Sequence, residues 1–247
     1  MNTINRLFIA IGLLIIFNST TKNNFAIGQS WGESIGSIEA LQNHYLANAI
    51  HINEAGGVIN GSESIINFWK AQGIEISSSE STFEIKTTYK SDHVYEIGSF
   101  TTKDKIEYSH LLIEQLTDSI SKRKLEFIAQ ENIHSVNLSD IDKRRKDWVE
   151  YCNSHDAEGL VQNLYTENAV YYNHRPVLIG HSALTQEYQY MNNPKYSLRL
   201  FPLHVEVVSD SLVFEIGQCD GSYKGKYLLV WQKGTDGIWR VLMDSNI

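Results

Sequence analysis

The 247-residue sequence contains one strand-like motif twice, and this repeat limits the possible folds more than any other feature. Residues 94–100 read VYEIGSF, and residues 213–219 read VFEIGQC. The same interval of 37 residues precedes the glycine of each motif, from Gly61 to Gly98 and from Gly180 to Gly217. An interval that is kept over this length indicates an internal duplication. The chain is therefore expected to fold as two related domains.

The match extends to both sides of the motif. NAIHIN at 48–53 aligns with NAVYYN at 168–173, and ten residues separate Gly98 from Tyr108 and Gly217 from Tyr227. The repeat thus covers most of each half, and a length of 247 residues suits two domains of ordinary size.

The second copy has a clear order of predicted elements. An apolar stripe at helical spacing, capped at Ser139, predicts an opening helix, and AEGLVQNLY and HSALTQEYQYM predict two more helices. The strands AVYYN and PVLIG come between them, and four β-like runs end the chain: SLRLFPLHVEVVS, SLVFEIGQC, YKGKYLLVWQK and IWRVLMDSN. Helices followed by an antiparallel meander predict an α+β fold, with a curved sheet covered by helices on one face.

Three stretches of the second copy resemble the NTF2-like superfamily, especially its SnoaL-like and DUF4440-type branches. They are WVEYCNSHDAEGLVQNLYTENAVYY, the glycine before the third helix, and GKYLLVWQKGTDGIWRVLMDSN. The resemblance covers nearly all of 139–247 and, more weakly, 37–133. It implies two tandem NTF2-like (cystatin-like) cone domains, each a curved, mainly antiparallel sheet with helices on one face around a pocket. The superfamily includes isomerases, dehydratases, binding subunits and scaffolds, so the resemblance implies no single activity.

The predicted domain boundaries follow from the repeat. Residues 1–28 have a charged start, an eleven-residue apolar run and small residues at Ala26-Ile27-Gly28, which is typical of a signal peptide; a buried helix is the alternative. Residues 29–134 then form the first domain and 135–247 the complete second domain. The opening helix of the second copy, shifted by 120 residues, falls on 19–33. The first domain is therefore predicted to be degenerate and to lack its first helix.

Composition and spacing argue against several functions. The net charge of −8, without a basic stripe, makes nucleic acid an unsuitable partner. No segment after the signal peptide is apolar enough for a membrane, and the sequence has neither a metal-ligand spacing nor a glycine-rich phosphate loop, so no cofactor is expected. Cys152 and Cys219 can form either two buried thiols or one disulfide.

Aromatic residues of the second copy are the candidates for ligand binding. The resemblance implies that the opening helix, the third helix and the inner face of the sheet surround the cone. The predicted ligand-binding residues are Trp148, Tyr151, Tyr171, Asn173, Tyr188 and Trp231. Such a set suits a small apolar or aromatic ligand held by a few polar groups.

Asp244 and His155 are the candidate catalytic residues. Asp244 lies in the otherwise apolar strand RVLMDSN, so it either has a raised pKa inside a pocket or faces water at the end of the strand. Glu96 and Glu215 recur in the repeated motif, which indicates a shared structural position, such as a solvated sheet face or the contact between the domains.

The resemblance also bears on steroid isomerisation. The ketosteroid isomerases of the superfamily use an aspartate base at the end of the strand after the second helix, and the matching position here is Asn173. An amide cannot relay a proton near neutral pH, so no steroid isomerase activity is expected. A shift of one residue in this register would bring Tyr172 or His174 inward instead.

Three functions remain open from the sequence. The first is a secreted or periplasmic protein that binds a small ligand in the second cone. The second is a SnoaL-like enzyme that transfers protons, of the isomerase, dehydratase or cyclase type. The third is a scaffold without a pocket, in which the two domains pair through their sheets as the subunits of a homodimer do.

The order of residues at the start of the chain predicts that the exported protein lacks its first 28 residues. N-terminal sequencing of secreted material is expected to begin near Gln29. An exported protein that still begins at Met1 contradicts the signal-peptide assignment.

Overall fold

A computed structural model describes residues 31, 38–87, 92–116, 121–132, 135–173 and 175–246. The predicted signal peptide over 1–28 lies outside the described residues. So does the segment 19–33 that aligns with the opening helix, except for Trp31. Trp31 is helical and buried, and whether the first domain lacks the rest of that helix stays a prediction.

The first half forms one six-stranded mixed sheet in the order β2-β1-β6-β5-β4-β3. Strands β1 and β6 run parallel, and the other neighbours are antiparallel. Its strands are β1 Tyr45–Ile52, β2 Val58–Asn60, β3 Ile76–Lys86, β4 His93–Thr102, β5 Glu107–Leu116 and β6 Ser121–Gln130. Its described helices are α1 Ile38–Gln42 and α2 Ser62–Gln72.

The second half repeats this topology, in the order β8-β7-β12-β11-β10-β9 with β7 and β12 parallel. Its strands are β7 Tyr165–Tyr172, β8 Leu178–Ile179, β9 Leu198–Ser209, β10 Leu212–Gly221, β11 Gly225–Lys233 and β12 Trp239–Ser245. Its helices are α3 Leu138–Asn153, α4 Ala157–Leu164 and α5 His181–Tyr188, followed by a 3-10 helix at Gln189–Asn192. The predicted duplication and the α+β fold are thus confirmed. The domain boundary at 134/135 stays a prediction, since residues 133–134 lie outside the described ranges.

The start of the opening helix differs from the prediction. Helix α3 begins at Leu138, and the side chain of Asn137 accepts a hydrogen bond from the Ser139 backbone N–H at 3.1 Å. Asn137 is therefore the capping residue rather than Ser139. The helix ends at Asn153, before His155, whose φ of 64° places it in the left-handed region of a turn.

The repeated glycine of each motif lies opposite a ring on the neighbouring strand. Gly217 pairs with Tyr227, and Gly98 pairs with His110. The glutamate two residues earlier lies on the same face of the strand, and the ring reaches across the glycine towards it. The Tyr227 hydroxyl donates to Glu215 Oε1 at 2.7 Å. A Cβ atom at either glycine would overlap its ring, which explains why the motif keeps a glycine there.

The two glutamates of the motif are buried inside the cones. Glu96 and Glu215 are 4% and 0% exposed, so the predicted solvated face is wrong. The predicted inter-domain contact is wrong as well. The glutamates lie on the face of the sheet that lines the cone, and the residues next to them, such as Tyr95 and Phe214, lie on the opposite face, which contacts the other half. The turn between β4 and β5 is longer than the one between β10 and β11. His110, and not Tyr108, therefore takes the place of Tyr227.

The faces of the two sheets that turn away from their helices share one hydrophobic cluster. Phe127 of β6 meets Phe214 of β10 edge to face, with ring centroids 5.5 Å apart. Phe83 of β3 stacks on His204 of β9 at 4.9 Å. The cluster joins Ile50, Tyr95, Ile97 and Leu125 of the first sheet to Val170, Leu212, Ile216 and Met243 of the second. Tyr172 belongs to it, so this residue does not turn into the cone, and His174 lies outside the described residues.

Hydrogen bonds at the rim of this cluster also cross between the halves. The Asn168 side chain donates to the Ala55 carbonyl at 2.8 Å, and the Gln232 side chain donates to the Glu54 carbonyl at 3.1 Å. Apolar burial with a polar rim is the arrangement of stable interfaces between subunits.

From this packing we expect the two halves to stay together after the chain is cut between Ile133 and Asp142. Limited proteolysis followed by size-exclusion chromatography measures it, with Phe214→Glu as the matched variant that places a charge in the shared cluster. Co-elution of the cut halves, and their separation in the variant, is the expected pair of results. Halves that separate freely and stay folded and monomeric without the substitution contradict it.

Candidate functional site: a tyrosine-lined cavity in the second cone

A cavity of about 40 Å³ lies in the second cone, between the helices and the concave face of the sheet. Aromatic rings form most of its wall, and Asp244 is its one carboxyl group among the described residues. The aromatic lining residues are Trp148, Tyr188, Tyr190, Tyr196, Tyr223 and Tyr227. A cavity of this volume holds only a few atoms. Common ligand pockets are much larger, about 300–1,000 Å³.

Asp244 lines this cavity and is buried, with 3% of its surface exposed. The hydroxyls of Tyr165 and Tyr188 both donate to its Oδ2 atom, the former at 2.9 Å. Burial raises the pKa of Asp244 to about 6, although the two tyrosine hydrogen bonds lower it. The alternative that Asp244 faces water at the end of its strand is therefore wrong.

Tyrosine rings continue from Asp244 to the protein surface. The ring centroids of Tyr188 and Tyr190 are 6.1 Å apart, and those of Tyr190 and Tyr196 are 5.4 Å apart. Tyr190 and Tyr223 are 47% and 38% exposed, which is unusual for rings that also line a cavity. The mouth of the cavity is thus an aromatic surface in contact with solvent.

Glu215 holds the opening helix against the sheet behind this cavity. Arg145 of α3 donates to both of its carboxylate oxygens, each at 2.8 Å, and the indole N–H of Trp231 donates to Oε2 at 2.9 Å. With the Tyr227 bond, Glu215 accepts four hydrogen bonds, so the burial of its charge is fully compensated. The role of Glu215 is to position α3 and Tyr227.

The cavity includes three of the residues predicted from the sequence: Trp148, Tyr188 and Asp244. Trp231 lies deeper, where its N–H is committed to Glu215. Tyr151 is half-buried, packs against the hydrophobic core of the second cone and does not line the cavity.

Tyr171 and Asn173 lie behind the cavity wall. The Tyr171 hydroxyl donates to Asn246 Oδ1 at 3.0 Å, and the Asn173 side chain donates to the Tyr171 hydroxyl and to Glu187, both at 3.1 Å. Asn173 therefore orients Tyr171 instead of facing a ligand. Its role as a direct ligand contact finds no geometric support.

His155 is also outside the cavity. Its Nδ1 atom lies 3.0 Å from the backbone oxygen of Met191, so the ring fastens the turn after α3 to the 3-10 helix. This hydrogen bond and the left-handed backbone indicate a structural role for His155, and they do not favour it as a catalytic residue.

Four tyrosines of the mouth are not among the residues predicted from the sequence, although tyrosine is dense between residues 188 and 196: Tyr190, Tyr196, Tyr223 and Tyr227. That density was the available signal. Periodicity could not reveal it, because the tyrosines come from a 3-10 helix, a loop and a strand that meet only in the folded chain.

The two cysteines are free, buried thiols in this structure. Burial raises the pKa of Cys152 to about 12 and that of Cys219 to about 11, so both are protonated near neutral pH. Cys219 lines the cavity as a small apolar side chain. Within the described ranges no cluster of His, Cys, Asp and Glu side chains could hold a metal ion, and none of the helices there is long and apolar enough to cross a membrane.

The first cone carries an acid at the position of Asp244. Asp244 lies opposite Tyr171 in the parallel pairing of β12 with β7, and Glu126 lies opposite His51 in the pairing of β6 with β1. The tyrosine that begins the first strand of each sheet donates to this acid: Tyr45 to Glu126 at 2.9 Å, as Tyr165 does to Asp244. The duplication thus includes a buried carboxyl group and its tyrosine donor.

Glu126 differs from Asp244 in having a cation beside it. The Arg123 guanidinium donates to Glu126 Oε2 at 2.8 Å, and His51 and the Trp69 indole N–H contact Oε1, each at 2.9 Å. Burial by itself would raise the pKa of Glu126, but the hydrogen bond from His51 and the charge of Arg123 outweigh it and lower the pKa to about 2. Glu126 is therefore a fixed charge.

The two sheets have the same strand order, and helices cover the concave face of each. These features define the fold. Each half has an NTF2-like fold. The NTF2-like structures found in the comparison cover one half of the chain at a time and are distant in sequence. An NTF2-like protein of unknown function from Shewanella oneidensis is 19% identical, with a TM-score of 0.40, over 44% of this chain and 96% of its own.

Two further solved structures are similar at the same level. A cystatin-like domain of unknown function from Nostoc punctiforme is 17% identical over 46% of this chain and 77% of its own, with a TM-score of 0.39. A ketosteroid isomerase-like protein from Erwinia carotovora atroseptica is 17% identical over 46% of this chain and 98% of its own, with a TM-score of 0.38. No protein-family model and no curated protein sequence matches the chain. Similarity to these structures does not indicate an activity.

The two acids of the NTF2-like domains are expected to affect stability in opposite directions. Asp244 has a folded-state pKa above its usual value, so its ionisation lowers the free energy of unfolding as pH rises from about 4 to 6. We expect Asp244→Asn to stabilise the protein near neutral pH by up to roughly 3 kcal/mol, and to have little effect near pH 4.

Glu126 has a lowered folded-state pKa, so its contribution is present above its unfolded-state value and is lost as pH falls towards about 2. Glu126→Gln leaves the Arg123 charge buried without its anion and is expected to cost about 3–5 kcal/mol near neutral pH. Urea unfolding at several pH values measures both variants. Equal signs for the two variants near neutral pH contradict the assignment.

Proposed function

We propose that the second cone binds a small ligand whose polar head enters the cavity at Asp244 and whose apolar or aromatic body lies on the tyrosines of the mouth. The observation that carries this proposal is a buried carboxyl group that lines a cavity and has no cation beside it among the described residues. Buried charges in proteins are normally paired or bound, and the hydrogen-bond partners of Asp244 within that part of the chain are two phenols.

The size of the cavity defines what part of a ligand it can hold. With about 40 Å³, the cavity accommodates a head group of a few atoms. A larger body would have to lie along Tyr190 and Tyr223, whose exposed rings provide an apolar surface at the mouth. Aromatic rings next to a few polar anchors are the usual composition of small-molecule sites.

The first cone serves a structural role in this proposal. Its interior contains Trp31, Trp69 and Phe100 in edge-to-face contact, and its acid is neutralised by Arg123. In this proposal its sheet pairs with the second sheet and so holds the sheet that carries Asp244 in place. We further propose that the protein is secreted or periplasmic, from the predicted signal peptide.

A proton-transfer enzyme is the second candidate function. A carboxyl group with a pKa near 6 is suited to general acid–base catalysis near neutral pH. Asp244 is the one cavity-lining group in the described chain that titrates in this range, since the phenols and Cys219 have raised pKa values. No second group among the described wall residues titrates near neutral pH, and this favours binding over catalysis.

Binding can be tested with a small neutral probe, 4-ethylphenol, followed by NMR of the tryptophan indole N–H signals. Trp148 lines the cavity, whereas Trp69 lies in the first cone and serves as an internal control. We expect a saturable shift of the Trp148 signal and no shift of the Trp69 signal.

A cavity-filling variant sharpens this test. Cys219→Met enlarges a lining side chain and is expected to abolish the Trp148 shift, and Val208→Ala, which changes a buried side chain of the shared cluster outside the lining, is the matched control. A Trp148 signal that does not respond to the probe, or a response that survives Cys219→Met, contradicts binding in this cavity.

A further inference from the structure

The chain contains two versions of one acid site, and a comparison of the two indicates the chemistry of the missing partner. In both cones the acid of the last strand receives a hydrogen bond from the tyrosine that begins the first strand. A second hydrogen-bond donor comes from equivalent positions of two helices, the one that follows Gly61 and the one that follows Gly180. This donor is Trp69, eight residues after Gly61, in the first cone and Tyr188, eight residues after Gly180, in the second.

The two sites differ in one further group. Arg123 lies opposite Tyr45 in the first sheet, and Val241 lies opposite Tyr165 in the second. The second cone thus has an apolar side chain at the position from which the first cone supplies a guanidinium. Glu126 lies three residues after Arg123, and Asp244 lies three residues after Val241. The two equivalent acids therefore have different surroundings.

Arg123 shows how the first cone holds a cation. Its Nη1 atom donates to Glu126 at 2.8 Å, and its guanidinium carbon lies 3.6 Å from the centre of the Trp31 ring. A carboxylate on one side and an aromatic face on the other is a common arrangement for the recognition of organic cations.

The second cone offers the same two elements, with Val241 rather than a cation at the position of Arg123. Both phenol hydrogen bonds of Asp244 go to Oδ2, so Oδ1 is available to the cavity. The rings of Trp148, Tyr188 and Tyr227 line the space in front of it. We infer that the ligand of the second cone carries a primary ammonium head, which takes the place that the Arg123 guanidinium holds in the first cone.

The size and charge of the cavity fit this head group. About 40 Å³ accommodates an ammonium group with one or two carbons, and the remainder of an arylalkylamine would lie on the tyrosines of the mouth. Within the described ranges, the titratable groups that face Asp244 are phenols and thiols that stay neutral near pH 7: Tyr165 and Tyr171 of β7, Tyr188 of α5, Tyr190 of the 3-10 helix, Tyr196 and Tyr223 of loops, Cys152 of α3 and Cys219 of β10. Asp244 therefore determines the charge of the site.

This inference rests on the proposed function and is tested with probes that separate the two. Isothermal titration calorimetry near pH 7.5 compares 2-phenylethylamine with 2-phenylethanol and 3-phenylpropanoate, which share an aromatic body and differ in the charge of the head. The amine is expected to bind roughly tenfold tighter than the alcohol, since hydrogen bonds between charged groups are the stronger ones, and the carboxylate is expected not to bind.

A substitution and a change of pH test whether the preference for the amine depends on Asp244. Asp244→Asn is expected to remove the preference for the amine and to keep the alcohol affinity, and Asp236→Asn, which removes an exposed acid of β-turn 234–237, is the matched control for net charge. Lowering the pH to about 5 is expected to weaken amine binding about tenfold by protonating Asp244, and to leave alcohol binding unchanged.

A reciprocal variant tests the comparison between the cones. Val241→Arg places a guanidinium where the first cone has one and is expected to abolish amine binding; retained cooperative unfolding shows that the variant is folded. Alcohol binding equal to or tighter than amine binding overturns the inference and leaves the proposed function intact. Absence of binding by all three probes overturns the proposed function itself.

Discussion

A carboxyl group buried on the last strand of a cone has to be neutralised, protonated or bound, and both halves of this protein carry one. Glu126 and Asp244 occupy equivalent positions of their sheets, next to the parallel first strand. The surroundings of each acid then determine what its cone can do. Arg123 turns Glu126 into a fixed charge, whereas the apolar Val241 leaves Asp244 with two phenols and a cavity among the described residues.

The repeated motif depends on the same requirement for compensated charge. Glu96 and Glu215 are buried acids as well, and each is approached by a ring that passes over a glycine. In the second cone Arg145 completes the site and ties α3 to the sheet. The motif therefore recurs because a strand can accommodate this ring only where it carries no Cβ atom.

Much of the architecture could be predicted from the sequence. Equal intervals between glycines indicated the duplication, and the order of helices and strands predicted two α+β cones, because both signals are local. Asp244 could also be singled out, since an acid in an apolar strand is a local anomaly. Trp148 and Tyr188 followed from the resemblance, which placed their helices around the cone.

The remaining features depend on contacts between segments that are distant in the sequence. The burial of Glu215 follows from the register that places Tyr227 opposite Gly217 and from Arg145, seventy positions away. The tyrosines of the mouth come from separate elements, and no periodic pattern joins them. His155 is the reverse case: its residue type makes it a candidate catalyst in the sequence, whereas in the fold its ring hydrogen-bonds the backbone oxygen of Met191.

The central claim is that one duplicated acid is a fixed charge and the other titrates near neutrality. Carboxyl ¹³C NMR of selectively labelled protein measures both groups in one titration, with Glu126→Gln and Asp244→Asn to assign the signals. The structure predicts a midpoint near 6 for Asp244 and near 2 for Glu126. A midpoint for Asp244 at or below the usual value of aspartate, about 4, would contradict the account.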